Sequence, residues 1–378
     1  MSWQSEFADF EGEGVVYLNA ATQAPMPLGA ARAAETAIGW KQQPQRIPGD
    51  EYLGLPDRVR RLLGRLFGGE PDEFAITSGA SSGLRVVAAQ YDWRAGDEIL
   101  IAKGEFPSHF TAFRPLEAAR GVKVRVVAPR GAFISAADFV AAITPQTRLI
   151  SASVVRSNDG SRLDAAALAS ACRSAGITLV LDLAQCAGAL PLQLGDLGAD
   201  FVVCSGYKWL LGPYGTGFFW VCKPAMEKLL PGPFYWMASE GAGNFDDLTR
   251  FENPVPVAGA RRWDAPETAN FINLAAFEAG LEWIAKAGVD AIAAHTAKLV
   301  EQLIAGLPQE RYELASPAEA AERGPYVCIR PRDIALLPAL TEKLARGNVF
   351  TSVRGGSLRL SPYVYNTERD IERLVALL

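Results

Sequence analysis

The sequence is poor in side chains that bind metal ions through nitrogen or sulfur. Only two histidines and five cysteines occur among its 378 residues. No two cysteines form a Cys-x-x-Cys pair, so the paired ligands of a zinc site are missing and we expect no metal site. An odd number of scattered cysteines also favours a reduced, cytoplasmic setting over a disulfide-linked secreted protein. The five are Cys172, Cys186, Cys204, Cys222 and Cys328.

The sequence also lacks any block of positive charge and any long apolar run. Its formal net charge is −5, which is unfavourable for binding nucleic acid, so we expect no nucleic-acid partner. The beginning, "MSWQSEFADFEGEG", has neither the basic nor the apolar part of a signal peptide. No stretch approaches the roughly 20 apolar residues that a membrane-spanning helix needs. We therefore expect no membrane association.

Short apolar segments recur between residues 70 and 222, and helical patterns separate most of them. The segments, in order, are "FAITS", "DEILIA", "VKVRVV", "TRLISASVV", "ITLVLDLA", "ADFVVCS" and "GTGFFWV". Runs of this length with little polar alternation are typical of strands that are buried on both faces. The alternation predicts an α/β fold with a mostly parallel, seven-stranded sheet and helices on both sides.

The composition changes after residue 230. Residues 231–262 are rich in glycine, proline, asparagine and aromatic residues, which indicates a long irregular connection. Two helical segments follow, then the strand-like "YVCIRP" and "SLRLSP" and the amphipathic "TERDIERLVALL". We predict a large domain over residues 16–255 and a smaller α+β domain over residues 256–378, with residues 1–15 packed against the smaller one.

Polar and aromatic residues follow five of the predicted strands. Because ligands of open parallel sheets bind at the carboxyl ends of the strands, these residues are the candidates for a site. They are Ser78, Gly79, Ala80 and Ser81; Glu105 and Phe106; Ser157, Asn158 and Asp159; Asp182 and Gln185; and Ser205, Tyr207 and Lys208.

Two of these residues carry a charge at the end of an apolar segment. Asp182 could simply cap the following helix, and Lys208 could be ion-paired or extend into solvent. Partial burial would instead lower the pKa of Lys208 and provide a neutral, nucleophilic amine. A lysine can form a Schiff base with an aldehyde, an acid can keep a pyridine nitrogen protonated, and "TSGASSG" can bind a phosphate at a helix start. Together they favour a pocket for pyridoxal phosphate.

The tract "DLAQCAGALPLQLGDLGADFVVCSGYKWLLGPYGTGFFWV" resembles the signature of the class V aminotransferases. This family of fold type I pyridoxal-phosphate enzymes includes cysteine desulfurases, kynureninase and isopenicillin N epimerase. Further similarity lies in "YLNAATQAPMP", "TSGASSGL", "EFPSHF", "SNDG" and "LRLSPYVYNTERDIERLVALL". The specific part is Asp-x-x-Gln followed by Ser-x-Tyr-Lys-Trp. The resemblance implies the fold type I architecture and pyridoxal 5'-phosphate as the cofactor.

The resemblance implies a role for each residue around the cofactor ring. Lys208 corresponds to the lysine that forms the Schiff base and shuttles the substrate Cα proton, and Asp182 to the partner of the ring nitrogen. Gln185 and Asn158 correspond to residues at the phenolic oxygen. Phe106 occupies the position of a stacking residue, which is histidine in desulfurases and phenylalanine in kynureninase-like members.

The remaining implied roles concern the phosphate and the substrate. The residues implied at the phosphate are Ala80 (through its backbone), Ser81, Ser205 and Tyr207. Thr268 corresponds to a threonine that reaches the phosphate of a neighbouring subunit. An arginine is expected at the substrate carboxylate, because its fork forms two parallel hydrogen bonds. Arg354 and Arg359 are the candidates; the family pattern favours Arg354, with Asn158 beside the substrate, but each arginine could instead form a structural ion pair.

The sequence leaves several reactions open. Cysteine desulfurases carry a nucleophilic cysteine near this arginine, but "SVRGGSLRL" has none. We therefore favour an aminotransferase-type reaction on an amino acid, with a lyase or an epimerase as the alternatives. A non-catalytic cofactor-binding scaffold would not need Lys208, Asp182, Asn158 and Gln185. A nicotinamide dehydrogenase is disfavoured because the G-x-G-x-x-G fingerprint is missing.

Two further expectations complete the prediction. The resemblance implies a homodimer, because the sites of such enzymes lie at subunit interfaces. The two histidines, His109 and His295, are interpreted as incidental to the site.

Overall fold

The computed structural model describes residues 3–246 and 248–378. The strands are Val16–Tyr17 (β1), Phe74–Thr77 (β2), Glu98–Ala102 (β3), Lys123–Val127 (β4), Thr147–Ser153 (β5), Thr178–Asp182 (β6), Phe201–Ser205 (β7), Gly217–Val221 (β8), Tyr312–Leu314 (β9), Val327–Pro331 (β10), Val349–Phe350 (β11), Ser352–Arg354 (β12) and Ser357–Leu360 (β13). The α-helices are Leu28–Gln42 (α1), Glu51–Phe67 (α2), Ala80–Gln90 (α3), Pro107–Phe113 (α4), Pro115–Arg120 (α5), Ala136–Ala142 (α6), Ala165–Ala175 (α7), Leu194–Leu197 (α8), Phe271–Ala287 (α9), Val289–Ala305 (α10), Leu337–Arg346 (α11) and Glu368–Leu377 (α12).

Seven strands form the central sheet in the order β2-β8-β7-β6-β5-β3-β4. The pairs from β7 through β6, β5 and β3 to β4 are parallel, whereas β8 is antiparallel to both of its neighbours, β7 and β2. Each strand lies in one of the seven segments predicted from the sequence. The predicted α/β fold with a mostly parallel, seven-stranded sheet is confirmed.

The central sheet is covered on both faces, which explains why its strands lack polar alternation. Every residue of β2, β6, β7 and β8 is buried. Leu63 of α2 and Leu168 of α7 belong to the core on one face, and Leu84 of α3 and Phe113 of α4 belong to the core on the other. Because the faces are closed, the strand ends provide the accessible edge at which a ligand can bind.

The C-terminal part contains a second, antiparallel sheet in the order β12-β13-β10-β9. Its apolar side chains, including Ile329 and Leu358, form a core with Leu303 of α10 and Leu374 of α12. This is the smaller α+β arrangement expected for the C-terminal part. A turn joins strands β12 and β13 and lies close to the loop that follows β5. A Cβ added at Gly355 in this turn would be 3.8 Å from the side chain of Asn158 in that loop.

The first residues of the chain contact the C-terminal part. The rings of Trp3 and Trp283 lie edge to face with centroids 5.9 Å apart, and Glu11 forms an ion pair of 2.8 Å with Arg369. Strand β1 pairs in parallel with β11. These contacts join residues 3–17 to the C-terminal part, whereas the domain boundary between residues 255 and 256 stays a prediction.

Some elements differ from the sequence-based expectation or were not anticipated. The helical pattern near residues 110–120 is divided at Pro115, because proline lacks the N–H group that a continuous helix needs and is tolerated at a helix start. Residues 231–262 contain short 3-10 helices, Trp236–Ala238, Thr249–Glu252 and Ala260–Trp263, within the expected irregular connection. Among the described residues, no helix combines the length and apolar character needed to cross a bilayer, and no cluster of metal-binding side chains is found.

Candidate active site

A cavity opens at the carboxyl ends of the central strands. Asp182 is the last residue of β6, and Lys208 follows the end of β7. Both line this cavity, so the acid and the amine that the sequence singled out share one site. The lining residues are Ala80, Ser81, Phe106, Ser108, Ser153, Val155, Ser157, Asp182, Ala184, Gln185, Ser205, Tyr207 and Lys208.

The Lys208 side chain is 6% exposed, and the described part of the chain gives its amine no hydrogen bond or ion pair. Aromatic rings surround it instead, since Nζ lies 5.3 Å from the centre of the Phe106 ring and 5.5 Å from that of Tyr207. Burial lowers the pKa of Lys208 to about 8, against the opposing influence of the Asp182 charge. A neutral amine is therefore accessible near neutral pH, as nucleophilic attack and proton transfer require.

The Asp182 carboxylate is buried and held in place at the carboxyl end of β6. Its Oδ1 accepts a hydrogen bond of 2.7 Å from the N–H of Ala184. Its Oδ2 lies 3.6 Å from Nε2 of His109. A buried carboxylate needs a cationic or hydrogen-bonding partner, so this acid is able to hold a protonated nitrogen of a bound ring.

The predicted phosphate loop lies where β2 leads into α3. Gly79 has a φ of 139°, which favours glycine, and an added Cβ would lie 3.2 Å from Oγ of Ser205. The N–H of Ala80 donates to this same Oγ at 3.2 Å, and the hydroxyls of Ser81 and Ser108 are 2.6 Å apart. Hydroxyls and backbone N–H groups thus converge at the start of an 11-residue helix, where the dipole favours an anion.

The amide of Gln185 is oriented by two fixed partners. Its Nε2 donates to the carbonyl oxygen of Ala21 at 3.0 Å, and its Oε1 accepts from the indole N–H of Trp209 at 3.3 Å. Because a side-chain amide has two N–H groups, one remains for a ligand oxygen in the cavity. The Oε1 and Nε2 positions of Gln185 are assigned from these two hydrogen-bond partners. They leave an N–H donor for a ligand oxygen, which the role implied by the resemblance requires.

Asn158 lies beside this cavity and is not one of its lining residues. Its Nδ2 would be 3.6 Å from a Cβ added at Gly104, and its side chain also faces Gly355, so it lies between the loop after β3 and the β12–β13 turn. Its Oδ1 is buried and lacks a hydrogen-bond partner among the described residues. A buried oxygen of this kind is costly unless a ligand donates to it.

The two candidate arginines have different surroundings. Arg359 is 1% exposed and donates to the carbonyl oxygen of Ser157 at 2.9 Å, to Thr22 Oγ1 at 2.5 Å and to Ser352 Oγ at 3.2 Å. Arg354 is exposed and donates to the carbonyl oxygen of the preceding residue. Both charges contribute to lowering the pKa of Lys208, with Arg359 the stronger of the two. The family pattern favours Arg354 at the substrate carboxylate, whereas the geometry favours Arg359.

Thr268 is not part of this cavity. Its hydroxyl donates to the carbonyl oxygen of Ala265 at 2.6 Å, and it borders a separate small hollow together with Tyr52 and Arg60. The structure of one chain therefore does not bring Thr268 to the phosphate loop. The implied contact with a neighbouring subunit stays a prediction.

His109 is a residue of this site that the sequence analysis set aside. It is fully buried, its Nδ1 lies 2.7 Å from Oγ of Ser151, and its Nε2 faces Asp182. The segment "EFPSHF" gives one signal that could have suggested this position, since His109 lies one helical turn beyond Phe106 and thus close to the same strand ends.

No cysteine is found among the described residues that line the cavity. Cys328 is buried in β10 with its Sγ directed to the carbonyl oxygen of Asn158 at 3.4 Å, and burial raises its pKa to about 12. Burial also raises the pKa of Cys186, next to Gln185. Neither thiol has the exposure and thiolate character of a nucleophile.

Two wider hollows lie elsewhere on the surface. One is bordered by residues 132–136 and 161–166, and the other by the N-terminal segment and α12. Neither contains Lys208 or Asp182. The smaller cavity is the candidate active site because it combines a buried amine, a buried acid and an anion-binding loop.

These observations fit pyridoxal phosphate, the cofactor that the sequence resemblance implies. An amine with no partner among the described residues and an oriented carboxylate share one cavity, and a loop suited to a phosphate borders it. The unpartnered Oδ1 of Asn158 adds a buried polar atom beside the same space. The individual roles of these residues stay predictions.

Comparisons with known proteins extend these observations to the whole chain. The family model described as aminotransferase class-V matches residues 55–374. Isopenicillin N epimerase of Streptomyces clavuligerus is 30% identical, with 95% of this chain and 93% of the relative covered. A probable cysteine desulfurase of Methanothermobacter thermautotrophicus is 25% identical, with coverage of 95% and 92%.

Solved structures support the same fold. The K223A mutant of C-DES, with glycine covalently linked to its PLP cofactor, has a TM-score of 0.89 at 22% identity and is covered over 98% of its length by 99% of this chain. The identity is low, so this likeness is a statement about the fold, and the family match carries the assignment. The protein belongs to the class V aminotransferase family, whose enzymes depend on pyridoxal phosphate, and pyridoxal phosphate is its cofactor.

Proposed function

We propose that this enzyme catalyses an aminotransferase-type reaction on an α-amino acid, with Lys208 as the group that removes and returns the Cα proton. One observation carries the proposal. Among the described lining residues, Lys208 is the group whose pKa, about 8, lies close to neutral pH. Burial instead raises the pKa of Tyr207, so its phenol stays protonated. A single base that can gain and lose a proton near pH 8 is suited to moving one proton between two carbons.

The cofactor contributes electron withdrawal from the substrate Cα when it is bound. With the cofactor bound, the Asp182 carboxylate would accept a hydrogen bond from the ring nitrogen, and Gln185 and Asn158 would bind at the phenolic oxygen. The N–H of Ala80 and the hydroxyls of Ser81, Ser205 and Tyr207 would hold the phosphate. Phe106, which lies beside the Lys208 amine, would pack against the ring.

Arg359 is proposed to bind the substrate carboxylate. Its three hydrogen bonds fix the guanidinium and use one N–H at each nitrogen. Of its five N–H groups, one on each terminal nitrogen remains after these three bonds, and Tyr326 lies beside the guanidinium with its ring centre 5.7 Å from Cζ. These two N–H groups are able to bind the two oxygens of a carboxylate, and burial makes such a charge-assisted contact stronger. Arg354, at the exposed turn, is the second candidate.

An epimerase is the second candidate function. It is favoured by the 30% identity to isopenicillin N epimerase over nearly the whole chain. Epimerisation by two bases would need a second proton donor near neutral pH, and the described lining offers Tyr207 with its raised pKa. A desulfurase that forms a persulfide on its own cysteine has less support, because none of the described lining residues is a cysteine.

A homodimer is also proposed. Exposed aromatic side chains lie at the hollow that Thr268 borders: Tyr52 lines it, and the ring of Phe245 lies 5.5 Å from that of Tyr52. Such a group is typical of a surface that a second subunit covers. In a dimer this surface would bring Thr268 toward the other subunit's phosphate loop. Light scattering on the purified holoenzyme measures the subunit number directly.

Product analysis distinguishes the reactions. The holoenzyme is incubated with single L-amino acids in deuterium oxide, with and without a 2-oxo acid. A new 2-oxo acid and a new amino acid, formed only with both substrates, support the proposal. Deuterium at Cα with a racemised substrate supports the epimerase, and ammonia or sulfide release supports a lyase. A yellow protein whose spectrum no amino acid changes would support the non-catalytic scaffold, and Lys208→Ala is the control without the base.

A further inference from the structure

The side chain of His109 is completely enclosed and has one satisfied and one unsatisfied nitrogen. Its Nδ1 lies 2.7 Å from the hydroxyl oxygen of Ser151, which is itself fully buried in β5. Its Nε2 has no hydrogen-bond partner within the described residues. An unpaired buried nitrogen is costly, so the group that Nε2 faces must compensate for its lost hydration.

That group is the Asp182 carboxylate. Oδ2 of Asp182 lies 3.6 Å from Nε2, longer than an ordinary hydrogen bond but close enough for strong attraction in a buried setting. An ionised carboxylate only accepts hydrogen bonds, so the favourable form of His109 carries its proton on Nε2. Ser151 can then donate to a neutral ring at Nδ1 or accept from a charged one.

Charged groups from three strand ends surround the imidazole. Glu105 follows β3, Arg156 follows β5 and Asp182 ends β6. Burial and the Arg156 charge act to lower the pKa of His109, but the carboxylates of Asp182 and Glu105 outweigh them, and the pKa is raised above its usual value. Glu105 is itself held by the hydroxyl of Ser153 at 2.8 Å and lies 3.6 Å from Arg156. The imidazole is therefore part of a fixed buried charge arrangement.

We propose that His109 is a positioning residue for the cofactor: its Nε2–H group faces Asp182 and keeps this carboxylate aimed at the ring nitrogen of pyridoxal phosphate. The inference rests on the proposed role of Asp182. His109 does not touch the reacting atoms and acts through the carboxylate. Ser151 fixes the imidazole from its other side. Ser151, His109 and Asp182 thus form a row of contacting side chains from β5 to the cofactor site.

Cofactor affinity and the protonation of the ring nitrogen test this inference. The full-length protein is freed of cofactor and titrated with pyridoxal phosphate labelled with ¹⁵N in the ring. His109→Phe keeps an aromatic ring without the N–H, and His109→Gln keeps an N–H donor without a titrating charge. We expect Kd to rise by about ten- to a hundredfold in His109→Phe, the effect of losing an interaction with a charged group. The ring ¹⁵N resonance should move toward the unprotonated position.

The other variants separate positioning from mere packing. His109→Gln should recover most of the affinity, and Ser151→Ala should weaken binding by about threefold, since a neutral hydrogen bond is lost. His295→Gln is the matched control, because His295 is the other histidine and is half-buried against the carbonyl oxygen of Asn366. It should leave Kd and the ¹⁵N resonance unchanged.

The outcomes distinguish this inference from the proposed function. If His109→Phe and His109→Gln both bind within threefold of the wild type and keep the protonated ¹⁵N resonance, His109 has no positioning role, while the proposed function stands. If the wild type itself does not show a protonated ring nitrogen, or Asp182→Asn leaves it protonated, the assigned role of Asp182 is wrong. If His109→Phe does not fold, Ser151→Ala decides, because the positioning role predicts a Kd about threefold higher in this variant and an unchanged Kd would overturn it.

Discussion

Replacing Lys208 by methionine should stabilise the cofactor-free protein at neutral pH. The pKa of Lys208 falls from 10.5, the usual value for lysine, to about 8 in the folded protein, because burial disfavours the charged amine. The unfolded chain therefore holds this proton more tightly than the folded one. The difference corresponds to about 3 kcal/mol of lost folding stability. Methionine fills a similar space without the charge and should recover most of it.

Because the pKa of Lys208 is lowered by folding, the stability gained by Lys208→Met should depend on pH in one direction. Below about pH 8 the amine is protonated in both states, and the full cost of the buried charge is present. As the pH rises from about 8 to 10.5, the folded state releases its proton first and the cost disappears. The advantage of Lys208→Met should thus fall from about 3 kcal/mol at pH 7 to below about 1 kcal/mol at pH 10.

Urea unfolding of the cofactor-free proteins, followed by tryptophan fluorescence at pH 7 and pH 10, measures this difference. Lys228→Met is the matched control. Lys228 Nζ lies 2.7 Å from Asp200 Oδ1, and the side chain is 38% exposed. Removing this partly exposed pair should cost up to about 1 kcal/mol, the opposite sign from Lys208→Met.

Two results would refute the reasoning. Lys208→Met could prove no more stable than the wild type at pH 7, which would mean that the amine is well solvated or paired in the folded state. Its advantage could also be as large at pH 10 as at pH 7, in which case apolar packing rather than charge would explain it. Either result would remove the basis for assigning Lys208 an accessible neutral amine.

Three further predictions concern other parts of the structure. Arg359→Lys should raise KM for the amino acid about thirtyfold, because the planar guanidinium fork is lost. Arg354→Lys should change KM less than about threefold. Equal effects of the two substitutions in steady-state kinetics would contradict the assignment of Arg359. Asp264→Asn should lower the free energy of unfolding by about 3–5 kcal/mol, because Arg60 is buried against this carboxylate; a loss below about 1 kcal/mol in urea unfolding would show that Arg60 is satisfied elsewhere. Gly217→Ala should lower Tm by about 2–4 °C, since an added Cβ would lie 2.3 Å from a backbone oxygen of β7; an unchanged melting curve would show that the strands can move apart.

The sequence predicted the central sheet well because burial on both faces leaves a direct signature. The strands of residues 70–222 are apolar throughout, and helix patterns separate them. Helix α1 gave no comparable signal, because its buried residues are only Ala30 and Ala37 and it has no broad apolar stripe. Helix α2 is strongly amphipathic, but Pro56 and two glycines interrupt its pattern.

The candidate site was predictable to the extent that it follows strand ends. Asp182 and Lys208 each end an apolar segment, and parallel strands bring such ends together. The choice between Arg354 and Arg359 was not predictable, because it depends on how the turn at Gly355 and Gly356, both with positive φ, directs the two strands. The contact between His109 and Asp182 joins a helix to a strand that is far away in sequence. The spacing of His109 from Phe106 indicates a position near the strand ends, but no local pattern indicates Asp182 as the partner.

The pairing of β1 with β11 has a consequence for biosynthesis. Val16 leaves the ribosome about 330 residues before its partner, Val349. At about 5–20 residues per second, the nascent N-terminal strand waits roughly 15–70 seconds with its edge uncovered. Throughout this interval the apolar Val16 and Leu18, both fully buried in the finished protein, are open to chaperones and to other unfinished chains. Slowing or pausing translation late in the message should therefore promote aggregation of this enzyme more than pausing it early.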